Sequence, residues 1–328
     1  MSKNKASVIG CGRWGTCLAW YAATKTKIGA DGVLLYGKSE FEDYRQLAKS
    51  RKNSYLTLPK NIEMTDDLEK ALSVPLVIIS VGTQVFRTLC KEIAPHKNRL
   101  KDTIFLLSMK GLERGSAKTV SEIWGEEVGC GKLAVLAGPG HVQDYLSGTP
   151  TVALIDSKSD VKIKLAHELS SPLIRMYYGE DFIGTQIGAA LKNVVGITAG
   201  ILDGLGWQGL KGGLIVRAPV EVGRYIKARG GKAMSAYGLA HLGDYEATLF
   251  SAYSHNRMFG ENFAKGEKQA TDRLAEGYYT LKAVHESSIK LGVEMPIIAA
   301  LYRAIYKGAD IKKEIAALFR RDIKSEFK

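Results

Sequence analysis

The chain has 328 residues, 45% of them apolar and 24% charged, with 35 glycines and 8 prolines. This length suits about two domains, and the composition excludes a mostly disordered, collagen-like or low-complexity chain. The net charge of +12 at pH 7 points to anionic partners. Acidic residues are mixed among the basic ones throughout, so phosphorylated metabolites suit the charge better than nucleic acid, and no nucleic-acid partner is expected.

Met1-Ser2-Lys3-Asn4-Lys5 leads into a run of only a few apolar residues, so no secretory leader is expected. No uninterrupted apolar run approaches the ~18 residues of a membrane span. The predicted strands are Ser7–Ile9, Val33–Tyr36, Leu76–Val81, Thr103–Ser108, Leu133–Ala137, Thr151–Ile155 and Leu173–Tyr177. Helical patterns lie between them at Trp14–Ala23, Val85–Ile93 and Ala117–Trp124. Short strands that are apolar throughout and alternate with helices indicate a parallel sheet covered on both faces. From Ile183 onward no strand stands out. Helical stretches run over Gly184–Leu202, Leu214–Ala228, Leu274–Leu291 and Pro296–Tyr306. The expected fold is therefore an α/β domain with a parallel sheet over residues 1–182, then an all-α domain over 183–328. Cys11, Cys17, Cys90 and Cys130 form no CxxC pair, and no histidine sits at zinc-ligand spacing. Reduced thiols, a cytoplasmic location and no metal site are expected.

Gly10-Cys11-Gly12-Arg13-Trp14-Gly15 matches G-x-G-x-x-G directly after the first strand and at the opening of a helix. That context is what a dinucleotide loop needs: a tight turn, close backbone approach to a diphosphate, and free N–H groups at a helix start. Gly32 to Ser39 also fits G-x-x-x-x-G-K-S. Its Val33–Tyr36 interior is itself a strand, whereas a phosphate loop needs the strand before the first glycine. Nucleotide hydrolysis is therefore not expected. At the end of that second strand, where an acid would bind a ribose 2′-hydroxyl, stand Gly37, Lys38 and Ser39. A cation and a hydroxyl suit a 2′-phosphate, so NADP is favoured slightly over NAD, with Glu40 keeping NAD open.

Five polar segments interrupt the apolar texture: Ser108–Gly111, Ala137–His141, Ala190–Val195, Gly238–Asp244 and Ser254–Arg257. Lys192 is the most informative, because a lysine inside an apolar helix is costly unless it is paired. An apolar site and nearby cations lower a lysine pKa and suit it to proton transfer.

In these segments the chain resembles the NAD(P)-dependent sn-glycerol-3-phosphate dehydrogenase family. The resemblance is carried in order by GCGRWGTCLA, LPKNI, SMKGLE, AGPGHV, TQIGAALKNVVGITAGILDGLG, GLAHLGDYEAT, SHNRMFG and EMP. It implies a Rossmann-like domain followed by a helical one, interconversion of dihydroxyacetone phosphate and glycerol 3-phosphate, and a homodimer. It makes Lys192 the proton donor and acceptor, with Lys110 and Asp244 completing the catalytic set. Gly10, Gly12, Arg13, Trp14, Gly15, Lys38, Val142 and Glu276 fall to the cofactor. Lys110, Gly138, Asn193, Ser254, His255, Asn256 and Arg257 fall to the substrate. Two departures bear on the substrate end. His255 stands where the family has arginine, which makes charge there depend on pH. Gly209-Leu210-Lys211-Gly212 stands where the family has Gly-Asn-Thr-Lys. A related dehydrogenase of another phosphorylated hydroxy compound, or a nucleotide-binding sensor without turnover, are the alternatives.

Overall fold

A computed structural model describes residues 5–245, 249, 254–267, 275–323 and 325–326. The chain divides into two compact units. The first holds the residues up to Met109 together with Val120–Phe182; the second holds Lys110–Thr119 and the chain from Ile183 onward.

The first unit alternates strands and helices: β1 Ala6–Ile9, α1 Arg13–Lys25, β2 Val33–Tyr36, α2 Glu42–Ser50, β3 Ile62–Thr65 and α3 Leu68–Ala71. It continues with β4 Leu76–Ile79, α4 Thr83–Ile93, β5 Ile104–Leu107, α5 Val120–Glu127, β6 Lys132–Ala137, α6 Val142–Ser147, β7 Thr151–Asp156, α7 Val161–Leu169 and β8 Ile174–Tyr178. The eight strands form one sheet in the order β3-β2-β1-β4-β5-β6-β7-β8. The strand order reverses at β1, beside β4, which in open α/β sheets is where ligands bind outside the carboxyl ends of the strands. β1, β2 and β4 are buried at every position, because apolar side chains on both faces pack beneath helices. Ile9 pairs in register with both Tyr36 and Ile79, so these three strands end level.

The structure departs from the predicted elements in several places. β6 and β7 pair antiparallel, so the parallel sheet carries one antiparallel junction. β3 was not expected: Ile62-Glu63-Met64-Thr65 is short, and only its two ends are buried, as befits an edge strand. The helix predicted from Ala117 begins instead at Val120, since Ala117 takes a left-handed conformation (φ 55°) that no helix continues through.

The second unit is built on α8 Phe182–Gly204, α9 Lys211–Ala228, a π-helical turn at Leu239–Gly243, α10 His255–Ala264, α11 Glu276–Lys290, α12 Pro296–Lys307 and α13 Ile311–Phe319. No strand occurs in it among the described residues. The start of the helix predicted from Leu274 lies outside the described residues. α8 is long and apolar enough to cross a membrane by length and composition, yet 83% of its most apolar stretch is buried inside the protein. It serves as the central helix of an apolar core with Leu112, Val222, Tyr225, Leu281 and Leu301.

Candidate functional site

In the first unit the glycine loop follows β1 directly. Gly10 has φ 115°, and a Cβ there would stand 2.1 Å from the Ser80 carbonyl oxygen, so only glycine fits this turn. Gly12 caps α1 without a side-chain hydrogen bond, and a Cβ on it would meet nothing within 4 Å. The loop thus presents bare backbone and the N–H groups of the first helical turn, a donor set suited to a diphosphate. Arg13 opens the helix with its guanidinium over the Tyr55 ring at 5.9 Å. Trp14 packs on Tyr145 of α6 with ring centroids 5.4 Å apart. Gly15 is buried under the loop. Gly138 (φ 113°) ends β6, and a Cβ on it would come within 3.1 Å of Ala153 on β7. Val142 begins α6 and is buried in the same core as the sheet.

Lys38 lies just past β2, as the 2′-phosphate reading requires, but it is not idle. Its Nζ meets Glu92 at 2.7 Å in a pair whose side chains are about one-third exposed (35% and 34%). This acidic partner comes from α4, far away in sequence.

In the second unit a cluster gathers on α8, the π turn and the Lys110–Thr119 segment. Asp244 is 2% exposed, and its carboxylate accepts from Lys192 Nζ at 2.8 Å and from Lys110 Nζ at 2.6 Å, one oxygen to each. Burial, with Lys110 adding to it, pushes the Lys192 ammonium below its ordinary pKa against the pull of Asp244. Burial alone would push the Asp244 carboxyl up, but the two ammonium groups outweigh it and hold the acid ionised. One carboxylate thus holds two ammonium groups together in a buried place.

A chain of amides fixes Lys110 from behind. Gly277 N–H donates to Asn256 Oδ1 at 3.0 Å, Asn256 Nδ2 to Asn193 Oδ1 at 3.0 Å, and Asn193 Nδ2 to the Lys110 carbonyl at 2.7 Å. Asn193 follows Lys192 on α8, so one helix turn supplies both the ammonium and the group that holds its neighbour.

The Ser254–Arg257 segment does not act as one donor cluster. Asn256 joins the amide chain. Ser254 caps α10 by accepting from Arg257 N–H at 3.2 Å, and His255 is exposed at the first helical position. Arg257 Nε meets Asp203 at 3.1 Å and its Nη1 meets Glu261 at 3.1 Å, while Lys211 shares Asp203 at 2.6 Å. Asp203 lies eleven residues beyond Lys192 on α8, about 16 Å along the axis. The Arg257 guanidinium is therefore held by a carboxylate that stands three turns of α8 beyond Lys192. Glu276 opens α11 beside Gly277 and is half-buried.

Sequence reasoning missed Asp203, which looks like an ordinary polar helix end, and His241 inside the Gly238–Asp244 segment. It also missed Glu221, a buried carboxylate accepting from Ile297 and Ile298 N–H at 2.9 Å each at the start of α12. The local signals for Glu221 are an acid in the apolar face of α9 and a proline at a helix start. All four cysteines are free, and no metal-ligating cluster occurs among the described residues.

Comparison with known proteins gives a consistent result. Residues 5–162 match the family profile described as NAD-dependent glycerol-3-phosphate dehydrogenase N-terminus, and residues 181–316 match its C-terminus counterpart. A glycerol-3-phosphate dehydrogenase (NAD(P)+) of Clostridium botulinum is 33% identical over 98% of this chain and 99% of its own length. One from Thermotoga sp. is also 33% identical, over 98% of each chain. The crystal structure of glycerol-3-phosphate dehydrogenase from Coxiella burnetii superposes with a TM-score of 0.88 at 27% identity, covering 98% of this chain and 100% of that one.

Proposed function

The chain belongs to the NAD-dependent glycerol-3-phosphate dehydrogenase family, and on that footing we propose that it interconverts dihydroxyacetone phosphate and glycerol 3-phosphate with NAD(P). The observation that carries this reading is the buried Lys110–Asp244–Lys192 cluster, a proton-transfer site that a binding module without turnover does not need.

When bound, the nicotinamide supplies or accepts the hydride. The protein's own groups bind, orient and handle the proton. In the first unit, Gly10, Gly12, Arg13, Trp14 and Gly15 would hold the diphosphate, Val142 would border the cofactor, and Lys38 would meet the ribose end. Glu276 is a further candidate for the cofactor. Lys192 gives a proton to the substrate carbonyl oxygen in reduction and takes it from the hydroxyl in oxidation. Its depressed pKa makes it a stronger acid than an exposed lysine. Asp244 orients both ammonium groups, and Lys110 stabilises the charge that develops on the oxygen. Asn193, held by Asn256, keeps Lys110 in place. The Ser254–Arg257 segment would receive the rest of the substrate. The same proposal places the protein in the cytoplasm, consistent with its free thiols, and as a homodimer.

The test is oxidation of NADPH and NADH with dihydroxyacetone phosphate. Lys192→Ala should lower kcat by about 10²–10⁴-fold, the usual worth of general acid–base catalysis, and leave the cofactor Kd unchanged. Absence of turnover in the wild type, or near-normal kcat in the variant, would remove the reading.

A further inference from the structure

The π turn that delivers Asp244 is closed by its own backbone bond, Gly243 N–H to the Gly238 carbonyl at 3.2 Å. Two side chains flanking Asp244 tie this turn to neighbouring helices. Tyr245, fully buried, donates its hydroxyl to the Ile215 carbonyl on α9. His241, also fully buried, places Nδ1 2.9 Å from the Gly188 carbonyl oxygen on α8. A carbonyl oxygen only accepts, so Nδ1 carries the proton. Within α8, Gly188 is the residue four before Lys192. Its carbonyl is thus the one to which the Lys192 backbone N–H is directed. The backbones approach closely here: a Cβ on Gly188 would stand 3.1 Å from the His241 Cβ.

We infer that His241 is a positioning residue, whose bond to Gly188 locks the turn carrying Asp244 to the helical turn carrying Lys192. This rests on the proton-transfer role given above to Lys192. His241 is not itself part of a proton path. Burial pushes its pKa down to about 4, so the imidazole is neutral at working pH, and its Nε2 has no hydrogen-bond partner among the described residues. The charged or titratable groups facing it are Lys192 and Asp244, with the Tyr245 ring edge-on at 5.0 Å. With the tie cut, Asp244 draws back from Lys192, and the ammonium loses the partner that supports its charge. Lys192 then deprotonates at lower pH and fails as an acid sooner.

The experiment compares His241→Leu, which fills the space without a donor, with His241→Asn, whose amide nitrogen sits where Nδ1 does. His241→Leu should lower kcat for reduction about 10–100-fold, the scale of a small misplacement of a catalytic group, with the cofactor Kd unchanged. The alkaline limb of its kcat profile should move down by about one pH unit. His241→Asn should keep kcat within a few-fold of wild type. An NMR titration of Lys192 Nζ, assigned with Lys192→Ala, should show the same shift in His241→Leu without any substrate. Wild-type kcat and wild-type Lys192 titration in His241→Leu would overturn the inference, and so would a His241→Asn variant as impaired as leucine. If leucine does not fit, His241→Ala replaces it; failure of both to bind cofactor would make His241 a residue of the fold alone and overturn its assignment. A wild-type protein inactive on dihydroxyacetone phosphate would sink the proposed activity, while the titration would still decide on His241.

Discussion

The Asp244 carboxylate meets both the Lys192 and the Lys110 ammonium, and this pairing sets how the site answers to pH. The proton on Lys192 is needed for reduction, and burial lowers the pKa of that ammonium. Reduction should therefore fall away as pH rises through a value below that of an ordinary lysine, and Asp244→Asn should bring the fall to still lower pH, together with a kcat loss of about 10²-fold. A kcat profile for both proteins checks this; identical alkaline limbs would separate Asp244 from Lys192. Lys38 gives a second prediction at this scale. Its pair with Glu92 is partly exposed, and such pairs contribute at most about 1 kcal/mol. Glu92→Gln should accordingly change the NADPH/NADH ratio of kcat/KM by less than about 5-fold, whereas Lys38→Asp should shift it toward NADH by about 10-fold or more. A fixed ratio in Lys38→Asp would take Lys38 out of the cofactor site. Lys192 was legible in the sequence because a lysine within an apolar helix needs a reason. Asp203 was not, because its partners Lys211 and Arg257 come from other elements, and no spacing announces such a meeting.

Among the elements, the interior strands were read correctly because burial on both faces leaves an unbroken apolar run. β3 escaped because an edge strand keeps polar residues, and α2 escaped because of its helix only Leu47 is buried. The start of α5 was misplaced because the conformation of Ala117 is set from elsewhere: Arg229 donates to its carbonyl at 3.0 Å. Glu221 shows how an element boundary can carry a pH response. It caps α12 with a carboxyl that burial pushes up to about 7, despite the two N–H donors and nearby Arg224 and Arg321. An acid whose pKa is raised on folding binds its proton more tightly in the folded state. Stability therefore falls as pH rises from the unfolded value near 4.5 to about 7 and levels off above that. The span is at most ~3 kcal/mol for a shift of this size. Denaturant melts at pH 5 and pH 8 should show the wild type weaker at pH 8 and Glu221→Gln nearly insensitive. An equally strong pH dependence in the variant would place its origin in other groups.

For the molecule as a whole, the excess of 46 basic over 34 acidic residues acts at long range on a dianionic substrate. It speeds encounter without marking where the substrate lands. The value of kcat/KM for dihydroxyacetone phosphate should fall as salt rises from about 10 to 150 mM, where the screening length shrinks from ~30 to ~8 Å. The kcat should stay constant, because the Lys110–Asp244–Lys192 cluster is buried. A kcat that falls in parallel would mean that salt reaches the cluster itself.

The ten residues Lys110–Thr119 leave the sheet unit, join the helical unit and return. They bring Lys110 to Asp244, Leu112 and Ala117 to the apolar core, and the Ala117 carbonyl to Arg229. The helical half is thus written in the gene in two places. A fragment beginning at Ile183 would lack one of its own ammonium groups and part of its own interior. A crossover between two such genes near residue 182 would match a sheet from one parent, along with that parent's ten-residue insert, to helices that evolved around another. Inheritance of the two halves is therefore tied together at a point some seventy residues before the main division of the chain at Ile183.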